Sequence, residues 1–190
     1  MKRRDFLKGA AVSSAILASE GILGQGVAAV NAESTSKPSN AARIPKREYG
    51  KTGIKLSIVG FGGIVVTHAE QADANRIVAE AIERGVNYFD VAPSYGDAEL
   101  KLGPALEPYR KNVFLACKST GRNRAALEAE FNKSLEHMRT DHFDLYQLHA
   151  LVDVKKDVDA VFAKGSAMDF LIAAKKEGRV KVSKYKISIR

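Results

Sequence analysis

Gly85-Val86-Asn87-Tyr88-Phe89-Asp90-Val91-Ala92-Pro93-Ser94-Tyr95-Gly96 is the stretch that decides the fold of this 190-residue chain. It begins with a short apolar run that is typical of a buried strand, and Asp90 stands where that run ends. A turn follows, because Pro93 and Gly96 both interrupt regular structure. The turn carries Tyr95. The stretch therefore predicts a strand whose carboxyl end presents an acid and, in the following loop, a phenol.

The same order of apolar run and polar residue recurs twice further along the chain. Val113–Cys117 ends at Lys118, and Phe143–Leu148 ends at His149. Helical periodicity separates these runs, which predicts repeated βα units that feed one parallel sheet. In a βα barrel, side chains at the carboxyl ends of the strands converge on one mouth. We therefore expect four residues to meet there: Asp90, Tyr95, Lys118 and His149.

The remaining patterns complete the predicted fold. A β-hairpin is predicted over residues 48–56, and strands are predicted over residues 57–63 and 180–189. Helices are predicted over residues 70–84, 97–106, 123–138 and 166–177. The second helix is expected to be interrupted at Gly103-Pro104, and the last is expected to turn Met168, Leu171 and Ile172 inward. The predicted fold class is α/β, the amino-terminal half of a (β/α)8 TIM barrel with four to five parallel strands and a leading hairpin.

The four polar residues suit the reduction of a carbonyl group, which needs a hydride at carbon and a proton at oxygen. Tyr95 is the candidate proton donor, although a phenol is a weak acid at its ordinary pKa of about 10. The Lys118 ammonium would stabilise the phenolate, and Asp90 would hold that ammonium in place. His149 would hydrogen-bond the carbonyl oxygen and orient the substrate. Each residue alone also has a structural explanation, such as a helix cap or a turn, so only the combination indicates a site.

Two local motifs resemble those of the aldo-keto reductase family. Residues 85–96 are similar to its G-x-x-x-[FI]-D-T-A-x-x-Y-G signature. The segment Asp144-Leu145-Tyr146-Gln147-Leu148-His149 resembles its D-L-Y-x-x-H segment. The similarity runs from about Arg47 to Gly178, which is most of the chain.

The resemblance implies roles for six residues. Asp90, Tyr95, Lys118 and His149 correspond to the catalytic tetrad of the family, which acts with NADPH on a carbonyl substrate. Gly63 and Ile64, at the end of the first strand, would lie beside the nicotinamide, with Asp90 next to them. The resemblance also places the contacts to the nicotinamide amide and to the adenosine phosphate in later βα units.

The length of the chain qualifies this expectation, because complete barrels take roughly 200 to 400 residues. We expect a chain truncated at its carboxyl end, with most of the NADPH site missing and with sheet edges through which copies could associate. Three alternatives stay open. The chain is an exported NADPH-dependent reductase of incomplete sequence, an inactive remnant, or a binding or structural protein that pairs two half barrels.

The first residues predict an export signal. Arg3-Arg4 stands before the weakly apolar run of residues 9–18, which resembles a twin-arginine signal and is too short for a stable membrane span. We predict a signal peptide over residues 1–32 that engages the twin-arginine export machinery, and hence a periplasmic or other extracytoplasmic location. A flexible linker is predicted over residues 33–45, followed by the barrel-like domain over residues 46–190.

Charge and composition exclude other classes of function. Of the formal net charge of +8, residues 1–32 contribute +2 and residues 175–190 contribute +6, so the segment between them is neutral and no nucleic-acid-binding face is predicted. Cys117 is the single cysteine, which excludes an internal disulfide.

Competing motifs do not fit. Val65 stands where a dinucleotide-binding fingerprint needs Gly or Ala. His137 and His142 do not share one helical face, so no metal site is predicted. Lys118 as a Schiff-base lysine is chemically feasible, but Tyr95 and His149 suit hydride chemistry better.

Overall fold

A computed structural model describes residues 43–182 of the chain. The predicted export signal over residues 1–32, residues 33–42 of the predicted linker and residues 183–189 of the predicted last strand lie outside this described part. Within residues 43–182, no helix has the length and apolar character needed to cross a membrane.

An antiparallel hairpin opens the described part, as the sequence predicts. It consists of β1 (Lys46–Glu48) and β2 (Lys55–Ser57). Gly50 and Gly53 in the connecting turn have φ angles of 58° and 73°, a left-handed conformation that glycine adopts without steric cost. Leu56 is the buried side chain by which the hairpin packs against the sheet.

Across the described residues five parallel strands form one sheet, which confirms the predicted fold class. In spatial order they are β3 (Phe61–Gly62), β4 (Tyr88–Asp90), β5 (Phe114–Ser119), β6 (Phe143–Leu148) and β7 (Val180–Val182). Neighbouring strands pair in parallel, with helices between them along the chain. Asp90 and Lys118 therefore stand at or near the carboxyl ends of neighbouring strands, and His149 follows the end of the next strand.

The first barrel strand is shorter than predicted. Ser57 belongs to the hairpin, and its hydroxyl donates a hydrogen bond to the carbonyl of Val59 at 2.7 Å. This local turn separates β2 from β3. Gly60 then passes directly under the Tyr88 ring, where an added Cβ would lie only 2.5 Å from a ring carbon.

Four of the five α-helices in the described residues lie close to their predicted ranges, and the short one over Ala160–Phe162 was not predicted. They are α1 (Gln71–Glu83), α2 (Ala98–Leu106), α3 (Arg124–His137), α4 (Ala160–Phe162) and α5 (Ala167–Lys176). A π-helical turn over Val154–Asp159 leads into α4, and 3₁₀ turns cover Gly63–Val66 and Glu107–Asn112. The side chain of Asn123 caps α3, accepting a hydrogen bond from the N–H of Ala126 at 2.9 Å.

Apolar side chains pack against both faces of the sheet. On the helix-covered face the largest buried residues include Phe89, Leu115, Phe131 and Phe143. On the other face Phe114, Ala116 and Leu145 pack with Leu56 of the hairpin. The hairpin thus covers the amino-terminal end of the strands, and the carboxyl ends are left to form the mouth.

Two predictions about helix interiors are wrong. Gly103-Pro104 does not interrupt α2, because Leu102 and Leu106 on either side are fully buried and their packing outweighs the lost backbone hydrogen bond. Gly103 packs against the end of α3 so closely that an added Cβ would lie 2.0 Å from the carbonyl oxygen of His137. Ile172 is 44% exposed, because α5 buries the neighbouring stripe that contains Phe170 and Ala174 instead.

Candidate active site

Asp90 and Lys118 come from neighbouring parallel strands and point to the same face of the sheet. Asp90 pairs in register with Ala116, so Lys118 lies two residues further along β5 on the same face. The Lys118 Nζ donates a hydrogen bond to Asp90 Oδ1. The side chains of Lys118 and Asp90 are 13% and 23% exposed. The two charges thus form a largely shielded ion pair at the mouth.

The ion pair keeps Lys118 protonated. Burial of the ammonium acts to lower the pKa of Lys118, but the hydrogen bond and the negative charge of Asp90 outweigh it, so the pKa lies above its ordinary value. A hydrogen bond with Tyr95 acts in the same direction. The same Asp90 charge, together with burial as the larger cause, raises the pKa of Tyr88 to about 12.

Hydrogen bonds to its own loop and to Thr67 hold Tyr95 over this pair. Its N–H donates to the carbonyl of Ala92 at 3.0 Å, and its carbonyl accepts a hydrogen bond from the hydroxyl of Thr67 at 3.1 Å. Gly96, at a φ of 61°, turns the chain toward α2. The Lys118 Nζ lies 5.3 Å from the centre of the Tyr95 ring. The phenol and the ammonium therefore share one site.

His149 completes the group. Its N–H donates to the carbonyl of Ser119 at 2.8 Å, which fixes its backbone to the end of β5. The imidazole meets the Tyr95 ring edge to face, with 6.1 Å between ring centres and an interplanar angle of 89°. Burial, and after it the positive charge of Lys118, lowers the pKa of His149. The neutral imidazole is therefore the dominant form at pH 7.

A hydroxyl next to the phenol contacts the imidazole from the side. Ser94 Oγ lies 3.4 Å from His149 Nδ1. A neutral imidazole carries its proton on one nitrogen only, so a hydroxyl that donates to Nδ1 leaves the proton on Nε2. In that tautomer Nε2 carries the N–H and is a hydrogen-bond donor.

Gly63 and Ile64 lie at the same edge of the sheet. Gly62 pairs with Asp90, and Gly63 follows it in a position where an added Cβ would lie 2.9 Å from a methyl carbon of Val91. Ile64 is 59% exposed beside this close approach. The structure therefore brings the four predicted tetrad residues to one end of the sheet, together with Gly63 and Ile64. That Gly63, Ile64 and Asp90 contact a nicotinamide stays a prediction.

Two residues at the mouth were not found from the sequence. The sequence patterns assigned no role to Ser94 or to Arg122. Arg122 is in fact only 21% exposed, and its guanidinium donates to the carbonyl of His149. The sequence signal for Ser94 is its position next to Tyr95, whereas an arginine in a loop carries no such signal.

A second polar cluster lies between the sheet and α2. Glu99 is buried, and its carboxylate accepts a hydrogen bond from the Cys117 thiol at 3.6 Å and lies 3.3 Å from His137 Nδ1. Burial, and after it the charge of Glu99, raises the pKa of Cys117. A cavity of about 350 Å³ opens beside this cluster, lined by residues that include Ser94, Thr120, Glu130 and Ser134. Over residues 43–182, His, Cys, Asp and Glu side chains form no cluster of three or more that could hold a metal ion.

The sequence is similar to a known protein family and to proteins of that kind from bacteria and yeast. The family model described as "Aldo/keto reductase family" matches residues 59–187. The oxidoreductase YqkF of Bacillus subtilis, described as uncharacterized, is 35% identical over 118 residues, which are 55% of this chain and 38% of that protein. The aldehyde reductase YPR1 of Saccharomyces cerevisiae is 29% identical over 109 residues, which are 56% of this chain and 34% of that protein.

A solved structure shares the same architecture. The holo form of aldo-keto reductase AKR11C1 from Bacillus halodurans superposes with a TM-score of 0.65 at 26% identity, covering 76% of this chain and 50% of that chain. The chain spans less than half of the length of the two curated relatives described above.

Proposed function

The chain belongs to the aldo/keto reductase family, and we propose that its mouth serves the reduction of a small aldehyde or ketone to the alcohol. One observation carries this proposal. A phenol, an ammonium, a carboxylate and an imidazole from three successive βα units face one another, with the Lys118 Nζ 5.3 Å from the Tyr95 ring centre and the Tyr95 and His149 rings 6.1 Å apart. Such a group can move a proton to a carbonyl oxygen.

Tyr95 is the proton donor in this proposal. As the carbonyl oxygen gains negative charge, the Tyr95 hydroxyl passes its proton to that oxygen, and the Lys118 ammonium stabilises the charge that remains on the phenolate. Asp90 keeps the ammonium in place and charged. Solvent then returns a proton to Tyr95, so the side chains end each cycle as they began it.

His149 orients the substrate. With its proton on Nε2, the neutral imidazole donates a hydrogen bond to the carbonyl oxygen and sets the angle at which that oxygen meets Tyr95. A hydrogen-bond donor that is already fixed before the reaction costs no reorganisation during it.

We propose NADPH as the partner of these residues; when bound it would supply the hydride that adds to the carbonyl carbon. The described residues fit the nicotinamide end of such a nucleotide. Gly62 pairs with Asp90, the exposed Ile64 offers an apolar surface beside them, and Gly63 permits the close approach of the two strands. Gly63, Ile64 and Asp90 would contact the nicotinamide ring.

A polypeptide of residues 1–190 tested alone is expected to bind the nucleotide weakly and to reduce carbonyls at no measurable rate. The family resemblance assigns the contacts to the nucleotide amide and phosphate to later βα units, and a proton donor without a well-placed hydride donor does not accelerate the reaction. A non-enzymatic second candidate is a half barrel that pairs with another copy. The exposed side chains of Ile58, Val59, Ile64 and Val65 near β3 favour such self-association.

We also propose that the chain is exported by the twin-arginine route to the periplasm or another extracytoplasmic space. The support is the Arg3-Arg4 pair and the weakly apolar run that follows it. This route carries folded proteins, which suits a protein that must bind a cytoplasmic nucleotide before export.

The test of the proposed reaction joins residues 43–182 to the later βα units of a family member and follows NADPH consumption with a simple aldehyde. We expect turnover that falls by at least about 10²-fold in Tyr95→Phe while NADPH binding, measured by fluorescence, is retained. Tyr109→Phe, which removes a hydroxyl outside the mouth, is the matched control. Equal rates for Tyr95→Phe and the parent would reject Tyr95 as the proton donor. Sedimentation of the 190-residue chain as a discrete dimer would favour the second candidate.

A further inference from the structure

Arg122 links the loop that follows β5 to the loop that follows β6. Its guanidinium donates to the carbonyl oxygens of His149 and Ala150 at 2.8 and 2.9 Å. It also donates to the carbonyl of Thr120 at 2.9 Å and to Asp157 Oδ1 at 2.8 Å. One side chain from the loop after β5 therefore binds both the backbone at His149 and a carboxylate that follows it.

Asp157 ties the same loop together from its other end. Its second oxygen, Oδ2, accepts hydrogen bonds from the N–H groups of Val152 and Asp153, both at 2.8 Å. The hydrogen bond from Arg122 lowers the pKa of Asp157 to about 2, so the carboxylate is charged at neutral pH. The loop after β6 is thus closed on itself by Asp157 and attached to the loop after β5 by Arg122.

The backbone next to His149 needs such a restraint. Ala150 has a φ of 53°, a left-handed conformation in which the Cβ of a non-glycine residue crowds the backbone. Two of the three carbonyls that accept hydrogen bonds from Arg122 belong to His149 and to this left-handed residue. On the other side of His149, its N–H is bound by the carbonyl of Ser119. The His149 backbone is therefore bound at its N–H by Ser119 and at its carbonyl by the Arg122 guanidinium.

We propose that Arg122 is a positioning residue for the reaction, which fixes the His149 backbone so that the imidazole keeps its contact with Ser94 and presents Nε2 to the substrate. The inference rests on the proposed function, to which it adds a residue that does not touch the substrate. A lysine could not replace this arginine, because a single ammonium cannot reach a carboxylate and three carbonyls in divergent directions.

The opposite end of the sheet supplies a matched control. Arg110 stands before β5 and makes an equivalent set of bonds: to Asp144 at 2.9 Å, to the Thr140 hydroxyl at 2.9 Å and to the carbonyl of His142 at 2.8 Å. The six residues of β5, about 20 Å at about 3.3 Å per residue, separate the two arginines. Removing Arg110 weakens the fold at the closed end of the sheet, whereas removing Arg122 also releases His149.

The experiment reads the His149 ring directly and requires no turnover, so it remains informative if the proposed reaction fails. The full 190-residue chain is labelled with ¹⁵N-histidine, and long-range proton–nitrogen spectra are recorded at pH 8, where the imidazole is neutral. The His149 signal is assigned by its loss in His149→Gln. In the parent chain we expect the Nε2–H tautomer to predominate.

Arg122→Gln and Arg122→Lys should both shift His149 to a mixture of tautomers or broaden its signal by exchange, whereas Arg110→Gln should leave it unchanged. If Arg122→Gln does not fold, Asp157→Asn, which removes the ion pair but keeps the arginine, should produce the same change at smaller amplitude. An Arg122→Gln chain with an unaltered His149 spectrum would overturn the proposal. Full restoration by Arg122→Lys would also overturn it, because charge alone would then suffice.

Discussion

Lys118 and Asp90 join two neighbouring parallel strands through a hydrogen bond between their side chains, directly beneath the ring of Tyr95. This bond raises the pKa of Lys118, whereas burial alone would lower it and favour loss of the lysine proton. The carboxylate keeps the ammonium charged at the one place where a developing phenolate would need it. The proton transfer proposed for this site therefore depends on a residue that need not contact the substrate oxygen.

Asp90→Asn should destabilise the charged form of Lys118. Burial is already the largest single influence on this ammonium and lowers its pKa. With the carboxylate removed, only Tyr95 opposes burial, so we expect the pKa of Lys118 to fall below its ordinary value. Reductive methylation with ¹³C-formaldehyde followed by NMR titration reports the pKa of the modified amine. The loss of the partner should also lower the free energy of unfolding by about 1–3 kcal/mol. Asp97→Asn removes the same charge next to the mouth, and an equal change in Lys118 there would contradict this explanation.

His149 should titrate below the ordinary histidine pKa of 6.5. Burial and then the Lys118 charge depress its pKa in the folded state, so the unfolded chain binds more protons between the folded-state and unfolded-state pKa values. Stability should therefore rise with pH across that interval and be lost as the pH falls through it. Lys118→Met should raise the midpoint only partly, since burial remains. A midpoint at or above 6.5 in the parent chain, measured by proton NMR, would be inconsistent with the structure.

Arg110→Gln should be strongly destabilising compared with Arg139→Gln. Arg110 and Asp144 form a buried pair, 13% and 11% exposed, whereas Arg139 and Glu107 form a surface pair with both side chains 55% exposed. Removing one partner of a buried pair costs about 3–5 kcal/mol, and an exposed pair contributes about 0–1 kcal/mol. Urea unfolding of the two variants measures the difference. Similar unfolding midpoints would show that the buried pair contributes no more than the surface pair.

Replacing Arg3 and Arg4 by lysine should hold the chain in the cytoplasm. The two arginines carry the resemblance to a twin-arginine signal, and lysine keeps the charge while removing the guanidinium groups. A fusion of residues 1–45 to a folded fluorescent reporter, followed by cell fractionation, makes the measurement. Export of the lysine variant at the parent level would remove the basis for the proposed location.

The positions of the strands and of the tetrad could be predicted because both depend on local pattern. Each apolar run ended at a polar residue, and parallel strands bring their carboxyl ends to one edge, so Asp90, Lys118 and His149 had to be neighbours. The continuity of α2 through Pro104 could not be predicted, because it depends on packing against α3. The role of Arg122 could not be predicted either, because it depends on a carboxylate and carbonyls that only the folded chain brings together.

Because Cys117 is buried, its reaction with a thiol reagent would report when the centre of the sheet becomes accessible to solvent. Its thiol is the only one in the chain, it lies in the middle of the central strand β5, and its raised pKa suppresses the reactive thiolate. A thiol reagent can therefore modify the chain only when that strand separates from α2 and α3. The labelling rate under native conditions would measure how often the centre of the sheet opens, without any engineered probe.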